Sequence, residues 1–126
     1  MARQTVLVVD DDANTRGSYT TVLERSGYRV LEASNGGEAI RMARTRSPQA
    51  ILMDIGMPVM DGLSAAETLK GDPDTAGIPI VMVTAHTLRR ERERMESISE
   101  GHLYKPCAPE QLLTELRRCL DLGEGG

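Results

Sequence analysis

Phenylalanine and tryptophan are absent from this 126-residue chain, and its ring-bearing core candidates reduce to Tyr19, Tyr28 and Tyr104. A core built on stacked rings is excluded, and Val, Leu, Ile, Met and Ala must fill the interior. Cysteine is scarce too. Cys107 and Cys119 do not form a close pair, which argues against a disulfide framework or a zinc site and leaves buried or inert thiols. No apolar run approaches the roughly 20 residues of a membrane span. Residues 1–4, MARQ, lead into a strand-like run without a signal-peptide cleavage pattern. The expectation is a soluble, cytoplasmic protein without membrane contact. An excess of basic charge is also lacking: 15 Lys and Arg face 19 Asp and Glu, a formal charge of −4. With no basic tail or stripe to follow a phosphate backbone, direct nucleic-acid binding is disfavoured. There are no internal repeats, and the length fits one domain with a core of its own.

What the chain does have is a regular alternation. Short continuous apolar runs alternate with stretches of helical period, the pattern of parallel strands covered by helices on both faces. Strands are expected at Thr5–Val9, Tyr28–Glu32, Ala50–Met53 with Asp54 at its end, Ile80–Val83 with Thr84 at its end, and His102–Tyr104. The first helix follows Ala13, shows Tyr19, Val22 and Leu23 on one face, and stops at Ser26-Gly27. Ser34 or Asn35 caps a second helix whose Ala39, Ile40 and Ala43 face inward and which ends before Pro48. Third and fourth helices span Gly62–Lys70 and Leu88–Ile98, with GDPDTAGIP as a loop between the third helix and the fourth strand. Pro109 starts a fifth helix with Leu112, Leu113, Leu116 and Leu120 inward. The domain is expected over residues 5–121, with 122–126 a flexible tail.

Five strand–helix units in about 120 residues make a small doubly wound sheet, whose ligand site lies beyond the carboxyl ends of the strands. Asp10, Asp11, Asp54, Thr84 and Lys105 stand at or just past those ends. They should converge on one crevice. Carboxylates gathered there repel one another unless some are protonated or a cation neutralises them. Oxygen-only ligands without Cys or His suit Mg2+ or Mn2+, and Mg2+ usually shares one or two carboxylates with a phosphate. A lysine ammonium and a threonine hydroxyl opposite would bind phosphoryl oxygens, leaving one carboxylate free as the nucleophile of an acyl phosphate.

Four segments in order, VVDD, MDIGMPVMDG, VMVTA and YKP, each close an expected strand, and together they resemble the receiver domain of two-component response regulators, the CheY-like family, from Thr5 to about Asp121. The resemblance implies a flavodoxin-like five-stranded parallel sheet in the order 2-1-3-4-5 with five helices on both faces. It implies that Asp54 is the phosphoacceptor. Asp11, Asp54 and the backbone carbonyl of Gly56 then hold Mg2+, and Asp10 holds it through water. Thr84 is implied as the switch hydroxyl, Lys105 as the phosphate-pairing lysine, and Ala85 as the small residue leaving room for the phosphoryl group. Lys105-Pro106 matches the family's cis peptide, and Gly56 and His86 occupy positions that influence the rate of reset. The implied partners are a histidine kinase or histidine phosphotransfer protein and a downstream effector bound by the face of the fourth helix, fifth strand and fifth helix. The domain would be a monomer or weak dimer, and no enzyme beyond catalysing its own phosphorylation and dephosphorylation.

Several residues carry plainer readings. Asp12 is expected just before the first helix, where a carboxylate favours the positive helix end, Asp61-Gly62 to close a turn, and the mixed charges of LRRERERME to form a solvated face or an output surface. Met53, Met57, Met60 and Met82 read as packing, and His86 and His102 lack metal-ligand partners. The chain also departs from the family pattern. His102 stands where a Tyr or Phe changes rotamer on activation. Strand alternation puts Tyr104 on the same face, so either residue is a candidate for that role. MESISEG lacks the Ala-Gly ending usual for the fourth helix, Cys107 replaces a common Phe or Ile, and Ala108 is a poor N-cap. Two alternatives follow: a receiver-like interaction module working without phosphorylation, and a Mg2+-dependent phosphatase with an Asp nucleophile. Gly56, where such a phosphatase would want a second acid, argues against the latter. The missing glycine-rich loop after the first strand argues against nucleotide binding.

Overall fold

Runs such as VLVV and AILM become strands because both their faces can be buried. In the computed structural model, which describes residues 3–57, 61–85 and 89–124, five strands form one parallel sheet. They are β1 (Thr5–Val9), β2 (Arg29–Ala33), β3 (Ala50–Asp54), β4 (Ile80–Thr84) and β5 (Gly101–Tyr104), in the order β2-β1-β3-β4-β5. The helices α1 (Ala13–Arg25), α2 (Gly36–Arg46), α3 (Gly62–Gly71), α4 (Arg89–Ile98) and α5 (Pro109–Glu124) alternate with them. The architecture is the flavodoxin-like doubly wound sheet.

Alternation along the strands divides the core in two. Leu7, Val9, Ile51, Met53, Ile80 and Met82 pack against α2, α3 and Met95 of α4. Val6, Val8, Leu52, Val81 and Val83 pack against Leu23 of α1 and Leu112, Leu116 and Leu120 of α5. Burying each Val, Leu, Ile or Met contributes roughly 1.5–3 kcal/mol. The central strands are therefore held firmly enough for their ends to carry groups that are costly to bury. Met53, Met57 and Met82 are core residues; Met60 lies outside the described residues.

Local hydrogen bonds set the helix starts. Asp12 caps α1 by accepting from Thr15 N at 3.2 Å, Asn35 caps α2 from Glu38 N at 2.8 Å, and Asp61 caps α3 from Ser64 N at 2.7 Å. Ala108 lacks a capping side chain, but Gln111 reaches back and accepts from the Ala108 amide at 2.8 Å, one half of a capping box.

The elements depart from the sequence reading at a few ends. Strand β2 starts at Arg29 rather than Tyr28, because the Tyr28 amide is spent on Leu23 O at 3.1 Å, closing α1 around Gly27 at φ 96°. β5 starts at Gly101, which pairs with Val81; a Cβ there would lie 2.7 Å from Cys119 Sγ, so the close approach of α5 requires glycine. Helix α5 runs to Glu124, so 122–124 are helical where a tail is expected, while 125–126 lie outside the described residues: a glycine in the last turn costs about 1 kcal/mol and does not by itself end a helix. Leu88, the expected start of α4, lies outside the described residues.

The end of α4 does without the Ala-Gly pair. Ser99 donates to Met95 O from both its amide, at 3.0 Å, and its hydroxyl, at 2.5 Å. Glu100 Oε1 then accepts from Lys70 Nζ at 2.7 Å and from Ile80 N at 2.8 Å, while Lys70 Nζ also donates to Ala76 O at 3.2 Å and Ile78 O at 2.9 Å. One ammonium and one carboxylate thus tie the ends of α3 and α4 to the start of β4. Glu100→Ala removes the only charged acceptor of this knot and is expected to destabilise the fold by about 1–2 kcal/mol. Urea unfolding of the two proteins checks this, and indistinguishable midpoints would contradict it.

Candidate functional site

Strand register brings the polar ends together. Val9 pairs with Met53, Asp54 with Val83, and Thr84 with Tyr104, so the next residues after β1, β3, β4 and β5 lie along one edge of the sheet. One carboxylate oxygen each of Asp10, Asp11 and Asp54 falls within 4.8 Å of the others. Asp10 is 1% exposed and Asp54 8%, whereas Asp11 faces solvent. Lys105 Nζ stands 3.5 Å from Asp10 Oδ2 and 3.5 Å from Asp54 Oδ1.

Each carboxylate is held differently. Asp10 Oδ1 accepts from the Asp12 amide at 2.9 Å, while its buried Oδ2 has no hydrogen-bond partner among the described residues. Asp54 Oδ1 accepts from the Gly56 amide at 3.3 Å, and Gly56 itself is exposed. Burial raises the Asp54 pKa above its ordinary value; Lys105 opposes the shift, and Asp10 adds to it. Behind Asp54, Gly62 allows α3 to start hard against the strand: its amide donates to Ile55 O at 2.9 Å, and a Cβ would lie 2.2 Å from the Asp54 carbonyl oxygen.

The remaining expected residues are placed as follows. Thr84 is buried at the end of β4 and its carbonyl accepts from the Lys105 amide at 2.8 Å, with the exposed Ala85 beside it. The Lys105–Pro106 peptide is cis. His102 and Tyr104 share a face of β5 and meet edge to face, with centroids 5.7 Å apart and planes at 72°. His86 lies outside the described residues. Asp12 stands apart from this group as the α1 cap.

Three carboxylates against one ammonium leave an uncompensated negative charge, and the buried, orphaned Asp10 Oδ2 is the kind of atom that a cation would satisfy. An all-oxygen donor set fits a hard divalent ion. The residues present therefore fit a metal site.

Two residues near the site carry no sequence signal. Arg16 donates from Nη1 to the Asp10 carbonyl at 2.8 Å, across the first turn of α1, where no periodicity marks it. The Tyr19 hydroxyl is pushed up to about 12, chiefly by burial, with Cys107, Asp10 and Asp54 adding to the shift. Its place on the apolar face of α1 predicts packing and nothing of this electrostatic setting.

A family model described as the response regulator receiver domain matches residues 6–117. Protein PilH of Pseudomonas aeruginosa is 37% identical over 123 residues, spanning 95% of this chain and 98% of that protein. The polar-differentiation response regulator DivK of Brucella anthropi is 30% identical over 118 residues, spanning 93% and 96%. Among solved structures, a CheY-like receiver domain protein from Methanospirillum hungatei superposes with a TM-score of 0.92 at 26% identity over 98% of both chains. The receiver domain of a sensor histidine kinase from Pseudomonas aeruginosa, solved with a magnesium ion in its active site cleft, gives 0.86 at 32% identity over 94% of this chain and 98% of that one.

The raised pKa of Asp54 has a defined consequence for stability. A buried carboxylate is penalised in the native state only when ionised, so the penalty is complete above the raised folded-state pKa and vanishes below the ordinary value of 3.8. Asp54→Asn is therefore expected to raise the melting temperature of the metal-free protein at pH 7, by an amount that shrinks as the pH falls through the folded-state pKa. Thermal unfolding in chelator at several pH values checks this; a gain that grows toward acid would contradict it.

Proposed function

The chain belongs to the response regulator receiver domain family, and from that premise we propose that it is a cytoplasmic phosphoacceptor, taking a phosphoryl group onto Asp54 from a phosphohistidine of a histidine kinase or phosphotransfer protein. The observation that carries the proposal is the placement of Lys105 Nζ at 3.5 Å from both Asp10 and Asp54, opposite a buried carboxylate oxygen left without a hydrogen bond. A lone carboxylate is a weak nucleophile toward a phosphoryl group because both are negative. Here the fixed positive charge is already in place before the donor arrives.

In the proposed step an Asp54 oxygen attacks phosphorus in line, the P–N bond breaks, and the imidazole leaves with its electron pair. When bound, Mg2+ (or Mn2+) neutralises charge on the phosphoryl oxygens. Asp11, Asp54 and the Gly56 carbonyl would hold it, with Asp10 acting through water. Lys105 pairs with a phosphoryl oxygen, and Ala85 leaves room for the group. The Thr84 hydroxyl then moves toward it, biasing the α4-β5-α5 face between two packings to which a downstream effector responds. His102 and Tyr104, already in edge contact, report that change on β5. Water hydrolyses the acyl phosphate and resets the switch, at a rate that Gly56 and His86 influence. The domain would catalyse only its own modification. Among the described residues no helix is long and apolar enough to cross a membrane, which supports a location alongside soluble partners.

Acetyl phosphate with Mg2+ is expected to add the mass of one phosphoryl group, and neither Asp54→Asn nor the chelated native protein should gain it. No gain in the native protein, or equal gain in Asp54→Asn, overturns the proposal and leaves an interaction module independent of phosphorylation. In the same sample, a phosphoryl analogue bound with Mg2+ should shift the ring signals of His102 or Tyr104. Unmoved rings would remove both residues from the switch.

A further inference from the structure

Arg16 belongs to none of the four segments that carry the family resemblance, yet its guanidinium is fixed at two points. Nη1 donates to the Asp10 carbonyl at 2.8 Å, and Nε donates to Glu32 Oε1 at 2.8 Å. The Arg16 side chain is 19% exposed and that of Glu32 41%, so the guanidinium is largely covered while its partner stands near water. An ion pair so exposed on one side contributes little to stability by itself. Its value is geometric: with Nε held by Glu32, the rigid fork aims Nη1 at a single oxygen.

That oxygen belongs to the peptide joining Asp10 to Asp11. A peptide unit is planar, so fixing its oxygen also fixes the direction in which the chain enters Asp11. The other polar groups of Asp10 are spent as well. Its amide donates to Ala33 O at 3.2 Å, and Oδ1 accepts from the Asp12 amide at 2.9 Å. Only Oδ2 is left, buried and facing Lys105. With Arg16 gone, the Asp10 carbonyl at the end of β1 would lose the guanidinium donor and the peptide could rotate, taking the Asp11 carboxylate out of the cluster.

We propose that Arg16, oriented by Glu32, is a positioning residue that holds the Asp10–Asp11 peptide so that both carboxylates are set for a divalent cation before it arrives. The inference rests on the phosphoacceptor reading above and extends its metal site by one layer, from β2 through α1 to the end of β1. Groups that orient metal ligands in this way typically change affinity on the order of tenfold or more when removed.

The test compares native protein, Arg16→Met, Arg16→Lys and Glu32→Gln in Mg2+ titrations followed by calorimetry and amide NMR. Arg16→Met should weaken Mg2+ binding on the order of tenfold, Arg16→Lys less, and Glu32→Gln less but in the same direction. Phosphorylation from acetyl phosphate should be slowed at limiting Mg2+ and restored at saturating Mg2+, since the lost interaction acts on metal binding and not on the chemical step. In metal-free Arg16→Met the Asp12 amide, which donates to Asp10 Oδ1, should exchange with solvent faster than in native protein. Unchanged affinity or unchanged exchange in the variants of a native protein that binds Mg2+ overturns the inference alone. If Arg16→Met does not fold, Glu32→Gln decides on the same measurements. A native protein that binds no Mg2+ strikes down the phosphoacceptor reading and this inference together, while the exchange data still show whether Arg16 holds the loop.

Discussion

Mutual repulsion among three carboxylates is the constraint to which the rest of this molecule answers. Asp10 and Asp54 are almost wholly buried, Asp11 sits between them and solvent, and one lysine ammonium faces the first two. Left to themselves such groups would spread apart or take up protons. They stay together because each is attached to the end of a strand whose apolar residues are covered on both sides. Hydrophobic burial, spread over the whole sheet, holds in place an electrostatic arrangement that is locally unfavourable. The cluster is strained in charge and not in covalent geometry, so a cation would relieve it without the backbone having to rebuild.

The parts of this arrangement legible in the sequence are those that depend on a residue's own strand. Asp10, Asp54 and Thr84 end apolar runs, and the doubly wound rule sends such ends to one edge. Asp12 is separable from its two neighbours because a carboxylate at a helix start answers only to the helix that follows it. The parts that were not legible depend on partners far along the chain. Nothing around Arg16 announces Glu32, and nothing in MESISEG announces that Glu100 finds Lys70, thirty positions away. The start of β2 shifted by one residue for a related reason: the Tyr28 amide completes a helix ending that alternation alone does not reveal. Gly62 lies between the two cases. Its turn was evident, but the 2.2 Å that a Cβ would leave to the Asp54 carbonyl belongs to the packing of α3 on β3.

The two ends of the sheet are built on different principles. At the carboxyl ends, charges are gathered and left incompletely satisfied, which keeps them available to a ligand. At the opposite end, Lys70 and Glu100 are one balanced pair: every donor of the ammonium has an acceptor, and the carboxylate takes a backbone amide as well. A satisfied network fixes a structure, whereas an unsatisfied one waits for a partner. The same residue types serve as fastening at one end and stand incompletely satisfied at the other.

The Lys70–Glu100 knot also determines how α4 can move. The helix begins at Arg89 and ends beside the knot; its second half is tied to α3 and β4 by the knot and by the Arg94–Glu67 ion pair, and its first turn lies outside those bonds. A tilt of the helix would pivot about that held half. Ten residues of helix make an arm of about 15 Å, and a tilt of about ten degrees about its carboxyl end carries the Arg89 end through roughly 2–3 Å. Such a displacement would be largest at the Arg89 end and fade toward the base of the domain. A partner reading the upper half of α4 would see about three times the average displacement met by one gripping its lower half.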